Sequence, residues 1–199
     1  VIIHYCEQGS PEWHSLRIGR FTATDFATLA NGKKATIDNL ILKKAAEIVT
    51  GKKADSDFYN KHMERGNELE AEAREAFELD KLVSVEQVGF IEVNEFIGCS
   101  PDGLIGDYSG VEIKCKDNHT HLKTLLSGDR SYKWQIVGNM WCTGRKEWEF
   151  YCYNPNFKKQ YSETWYLNND DKEQLEDGIN YAVEKLKRLL DEIRDNNIS

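Results

Sequence analysis

The sequence predicts an α/β fold in which a central mixed β-sheet is flanked by helices, with a helical region at the N-terminal side. Three observations carry that expectation. The first eighty residues favour helical spacing, residues 82 to 116 switch to strand-like runs rich in Val, Ile and Phe, and helix-like and strand-like segments then lead to a long amphipathic helix. No internal repeat, low-complexity tract or Pro/Gly/Ser linker interrupts the 199 residues, so one domain over 1–199 is expected. Its parts would be a helical region at about 10–80, a sheet core at about 82–167 and a final helix at about 170–195.

Taken in order, Ser10-Pro11-Glu12-Trp13 reads as an N-cap with proline at the first helical position, opening a short helix that ends near Gly19. Helices follow over 25–30, 37–50 and 61–80. A strand is expected over 82–93, then a hairpin of 96–105 with 111–116 whose turn is Asp107-Tyr108-Ser109-Gly110. Helices over 119–126 and 132–142 and strands over 147–153 and 161–167 complete the core. Asp170 and Glu173 read as a capping box for the last helix, whose Leu175, Ile179, Ala182, Leu186, Leu189 and Ile193 keep a helical period.

Composition is that of a globular protein, and no apolar run is long enough to span a membrane. The first residues lack a basic region followed by an apolar stretch, so a cytoplasmic location is expected. Five widely spaced cysteines without a C-x-x-C pair read as reduced thiols. Cys115, His119 and His121 supply only three zinc-type ligands, so a core cysteine followed by solvated loop histidines is the simpler reading. Net charge is −8, which by itself disfavours a nucleic-acid partner. Yet residues 32–62 and 111–163 are each +3, while residues 63–107 hold twelve acids against three bases. An acidic centre between basic flanks suits a site that holds divalent cations before a polyanion, although solvated helix faces give a similar count.

The most informative stretch is Ser100-Pro101-Asp102-Gly103 followed by Glu112-Ile113-Lys114. Alternation places Glu112 and Lys114 on one face of a strand, with Val111, Ile113 and Cys115 on the other, and a hairpin brings Asp102 beside them. Two carboxylates and an ammonium at a sheet edge suit Mg²⁺ and phosphodiester hydrolysis, with Lys114 orienting or deprotonating water or stabilising the developing charge. The E-x-K pattern alone is more simply a half-buried strand; the preceding Pro-Asp-Gly and the spacing favour a site. On the 61–80 helix, Met63, Gly66, Leu69, Ala73, Ala76 and Phe77 form an apolar side. Glu70 falls within it, so a metal, a lysine or a hydrogen-bond network should compensate its charge, with a structural salt bridge as the competing explanation.

These motifs, together with Pro11-Glu12-Trp13-His14, Arg17, Gly19-Arg20-Phe21-Thr22-Ala23-Thr24, Gly66-x-x-x-Glu70, Cys115 and Gln135 to Trp141, resemble the phage lambda-type exonucleases. These are the YqaJ-like viral recombinases, a branch of the PD-(D/E)XK nucleases. The resemblance spans about 9–155 and implies a restriction-endonuclease-like core. It implies that Asp102, Glu112 and the Ile113 carbonyl bind Mg²⁺ (or Mn²⁺ in its place), in one or two ions. Glu70 would be a further acidic residue and candidate ligand, and Lys114 the catalytic lysine. Arg17 would receive a 5′ phosphate, with Trp13, Thr24, Ser100 and Gln135 also at the DNA. Thr24 stands where serine is more usual. Asn139 stands where related helices often have tyrosine, and receives no role.

The activity so implied is 5′-to-3′ digestion of one strand of linear duplex DNA, giving mononucleotides and a 3′ overhang for recombination with a single-strand annealing protein. A homotrimeric ring threaded by DNA is implied likewise. An endonuclease with the same metal site, or a non-catalytic DNA-binding scaffold on the same fold, remains a competing expectation. Phe58-Tyr59 with Lys52-Lys53 reads as a loop anchored by two aromatics, or alternatively as a base-stacking platform.

Overall fold

The chain opens with a short strand, β1 (Ile2–His4), which no alternation in the sequence predicts. The computed structural model describes the backbone of residues 1–53 and 61–198 and the side chains of residues 1–53 and 69–198. Phe58, Tyr59, Met63 and Gly66 therefore lie outside the residues whose side chains are described. Four helices follow β1: α1 (Pro11–Arg17), α2 (Phe26–Asn31), α3 (Lys34–Thr50) and α4 (Lys61–Lys81). Ser10 caps α1 as its sequence requires, its hydroxyl accepting from the Trp13 amide at 3.2 Å.

The strands form two groups rather than one. β2 (Phe90–Asn94) and β3 (Ile97–Cys99) join β1 in a three-stranded antiparallel sheet. The central sheet contains β4 (Gly103–Ile105), β5 (Ser109–Cys115), β6 (Glu147–Tyr153) and β7 (Tyr161–Tyr166) in that order. It is mixed, because β5 and β6 run parallel while the outer pairs are antiparallel. The β5-to-β6 crossover carries α5 (Asn118–Ser127) and α6 (Lys133–Thr143), the helical connection a parallel pair requires.

Several expected boundaries shift for identifiable reasons. The expected strand over 96–105 is broken, because Pro101 has no amide hydrogen to continue a ladder. Cys99 ends against Ile91 in one sheet, and Gly103 begins against Val111 in the other. The expected strand over 82–93 shrinks to β2. Val83 and Val85 pack beneath α4 and Val88 enters the main core, so their alternation serves packing without a ladder, apart from a bridge between Glu86 and Leu104. The turn is at Gly106-Asp107-Tyr108, with Ser109 and Gly110 already paired in the sheet. The last helix, α7 (Asn169–Asp195), is capped by Asn168, whose side chain accepts from the Asp171 amide at 2.7 Å, instead of by a box at Asp170. Leu167 still bonds to Lys146 at the sheet, so the chain must turn immediately afterwards. His121 is not a solvated loop residue: it is buried on α5, with Nδ1 3.3 Å from the Cys152 sulfur.

Two apolar layers sandwich the central sheet. Trp148 and Phe150 face α2, α6 and α7, while Val111, Ile113, Tyr151 and Tyr153 face Ala73 and Phe77 of α4. The alternation expected for β5 is thereby realised, with Val111 and Ile113 towards α4 and Glu112 and Lys114 towards α6. Tyr151 and Tyr153 also bond to Asp80 and Glu72 of α4, each at 2.6 Å, which fixes that helix across the sheet. On the other side, Gly138 lets α6 meet α2: a Cβ there would lie 1.9 Å from the Phe26 ring. Gly138→Ala should therefore overpack this layer and lower unfolding free energy by about 1–3 kcal/mol in urea titrations.

Candidate active site

The strand break at Pro101 and the exposed end of β5 build the site together. β4 stops short, so the amide of Ile113 has no ladder partner on that edge; it donates instead to Asp102 Oδ2 at 2.7 Å. A residue's N–H and C=O point to the same side of a strand, so the Ile113 carbonyl faces this edge too. Lys114 pairs with Glu112, and its Nζ is 3.9 Å from Asp102 Oδ2. Three of the residues singled out in the sequence thus meet within one cluster.

Glu112 is completely buried, which is costly for a carboxylate unless donors surround it. Gln135 Nε2 donates to Oε1 at 2.5 Å and Asn139 Nδ2 to Oε2 at 3.1 Å, both from α6. Burial, and then the nearby charge of Asp102, still push the Glu112 carboxyl up to about 7. For Lys114 burial acts downward, but the fields of Glu112 and Asp102 outweigh it and the ammonium is held protonated. Its Nζ sits 5.2 Å from the Tyr132 ring centre, with the buried Lys116 5.3 Å from the same ring.

Glu70 is less enclosed than its helical position suggests, with 37% of its side chain exposed. Of the partners expected for it, the structure shows the ion pair. Arg74 lies one turn along α4 at 3.5 Å, and Glu70 also feels Asp102: burial and then that charge raise its pKa, against the pull of Arg74 and Lys114. Among the described residues no three His, Cys, Asp or Glu side chains form a cage that could hold an ion. The edge offers two carboxylates and a carbonyl, and that donor set fits a magnesium ion that keeps most of its water. The strain on Glu112 supports the fit, since a cation would relieve the repulsion from Asp102 that helps to keep its carboxyl protonated.

A second cluster adjoins the first through the chain itself. Arg17 donates to the Ser100 hydroxyl at 3.0 Å and to the Thr22 hydroxyl at 3.4 Å, and its guanidinium stacks 4.2 Å from the Trp13 ring centre. Trp13 Nε1 donates to the same Ser100 hydroxyl at 2.9 Å. Burial lowers the Arg17 pKa, with Asp25 opposing most strongly. Thr24 is exposed and touches Thr22 through hydroxyls 3.3 Å apart. Gln135 belongs to the carboxylate cluster instead of this one. Asn139 is the contact that sequence reading left without a role; its spacing of one helical turn from Gln135 was the available signal.

The chain is similar throughout to solved exonucleases. An alkaline exonuclease from Laribacter hongkongensis is 26% identical, with a TM-score of 0.85 over 95% of this chain and 98% of that one. The same enzyme in complex with dAMP gives 27% identity and the same score and coverage. A phage-related exonuclease from Haemophilus somnus, 16% identical, matches in fold with a TM-score of 0.68 over 87% of this chain and 96% of that one. The mixed sheet with its flanking helices is therefore the PD-(D/E)XK nuclease fold. The model of the YqaJ-like viral recombinase domain matches residues 12–146, and the chain belongs to that family. Comparison with curated proteins yields no match.

The buried carboxyl gives a pH signature. Because its folded pKa lies above the unfolded value, the folded state retains a proton that the unfolded state has lost between about pH 4.5 and 7, and stability falls as pH rises through that window. In EDTA, thermal melts should show this decline in the wild type and lack it in Glu112→Gln. Added Mg²⁺ should raise the melting temperature more at pH 8 than at pH 6, since a cation requires the ionised carboxylate.

Proposed function

We propose that this protein is a Mg²⁺-dependent 5′-to-3′ exodeoxyribonuclease acting on linear duplex DNA. One observation supports the end-directed part of that reading: Arg17 is hydrogen-bonded to Ser100, two residues from Asp102, so the arginine that would receive the phosphate is tied to the segment that carries the carboxylate of the cleavage site. A guanidinium surrounded by hydroxyls suits a terminal phosphate. Trp13 holds the guanidinium by stacking and Ser100 by hydrogen bonding, while Thr22 and Thr24 offer hydroxyls beside it.

At the cleavage edge, Asp102, Glu112 and the Ile113 carbonyl would hold the cation, with Glu70 as a further ligand. When bound, that cation supplies an activated water and neutralises the phosphate. Lys114, protonated and pointing at both carboxylates, serves as a charged donor to the oxygen on which negative charge develops. Gln135 steadies Glu112. The products are 5′-mononucleotides, the class to which the dAMP bound by the Laribacter enzyme belongs. The remaining strand carries a 3′ overhang for a single-strand annealing partner. A homotrimeric ring would retain DNA by topology, which answers the net charge of −8.

Linear duplex with a 5′ phosphate should be degraded faster than the 5′-hydroxyl form, only with Mg²⁺ or Mn²⁺, and covalently closed DNA should resist. Arg17→Ala should erase the phosphate preference. Asp102→Ala and Lys114→Ala should each lower nucleotide release by about 100-fold or more. Cleavage of closed circles would favour an endonuclease, and release unaffected by both substitutions would remove the site assignment.

A further inference from the structure

Asn139 lies wholly inside the protein on α6, and only one end of its amide is satisfied. Nδ2 donates to Glu112 Oε2 at 3.1 Å, while Oδ1 is buried with no hydrogen-bond partner among the described residues. Leaving a buried acceptor unpaired costs about as much as a lost hydrogen bond. The opposite orientation is worse, because it would set the amide oxygen against the carboxylate. The fold therefore tolerates an orphan carbonyl in order to present one N–H to Glu112.

The distribution of donors gives that contact a specific consequence. A carboxylate has about four lone-pair sites. Lys114 and Gln135 both donate to Oε1, and Asn139 donates to Oε2. Among the described residues Oε2 thus receives one donor where Oε1 receives two, and the Asn139 contact fixes the orientation of that oxygen. α6 cannot drift from this register, because Gly138 brings its backbone against Phe26.

We propose that Asn139 is a positioning residue that holds the Glu112 carboxylate in the orientation in which it would bind the divalent cation. This rests on the reading of Asp102 and Glu112 as cation ligands. Outer contacts of this kind typically set metal affinity by 10- to 100-fold. A purely structural asparagine would instead affect the stability of the metal-free fold.

The test is calorimetric titration of Mn²⁺ into wild type, Asn139→Leu, Asn139→Ala and Glu112→Gln, with melting temperatures measured in EDTA. The expected result is a 10- to 100-fold weaker Mn²⁺ Kd in Asn139→Leu. Its metal-free fold should persist with a melting temperature within about 5 °C of wild type, because removal of the orphan acceptor offsets part of the cost of the donor lost from Oε2. Wild-type affinity in Asn139→Leu, with binding lost in Glu112→Gln, would overturn this proposal alone. Failure of both Asn139 variants to fold in EDTA would also overturn it, as the role would then be structural. Equal Mn²⁺ binding by wild type and Glu112→Gln would overturn the ligand reading beneath it.

Discussion

A carboxylate with no solvent exposure, placed at the centre of a sheet, is the constraint around which this protein is arranged. Glu112 cannot be left without donors, and one strand supplies only Lys114, two residues away on the same face. The remaining donors must come from above. α6 therefore lies across β5 with Gln135 and Asn139 facing down, and α2 closes behind it against Gly138. α7 seals the layer in turn, with Gly178 so close to the backbone of Leu29 that a Cβ would lie 2.2 Å from its oxygen. The apolar packing of four elements follows from the needs of one acidic group.

The opposite face solves a different problem by the same means. α4 carries Glu70, and it is held over Val111 and Ile113 by apolar contacts and by the tyrosine bonds to Asp80 and Glu72. Carboxylates reach the open end of β5 from both layers. Such an accumulation is unfavourable in isolation, and Lys114 and Arg74 offset part of it.

Much of this was legible in the sequence, because the relevant signals are local. Period-two alternation placed Glu112 and Lys114 together, and Ser10-Pro11 started α1 where the structure starts it. Less visible were features that depend on distant partners. Whether Val83 to Val88 formed a strand depended on a neighbouring ladder, and among the described residues this stretch has one isolated bridge, at Glu86. The division into two sheets was hidden because alternation on either side of Pro101 looks alike whichever sheet receives it. Asn139 is an ordinary polar residue in sequence; only the buried carboxylate opposite it gives it a task.

The segment Ser100-Pro101-Asp102 is also a mechanical part. It is the joint between the two sheets, with Ser100 held by Arg17 and Trp13 and Asp102 held by the Ile113 amide. Its middle residue is a buried proline whose carbonyl accepts from Gln8 at 2.9 Å, so the joint is stiff. Ser100 and Asp102 are thereby held at a fixed separation, so a displacement at the Arg17 contact is passed directly to the Ile113 amide at the end of β5.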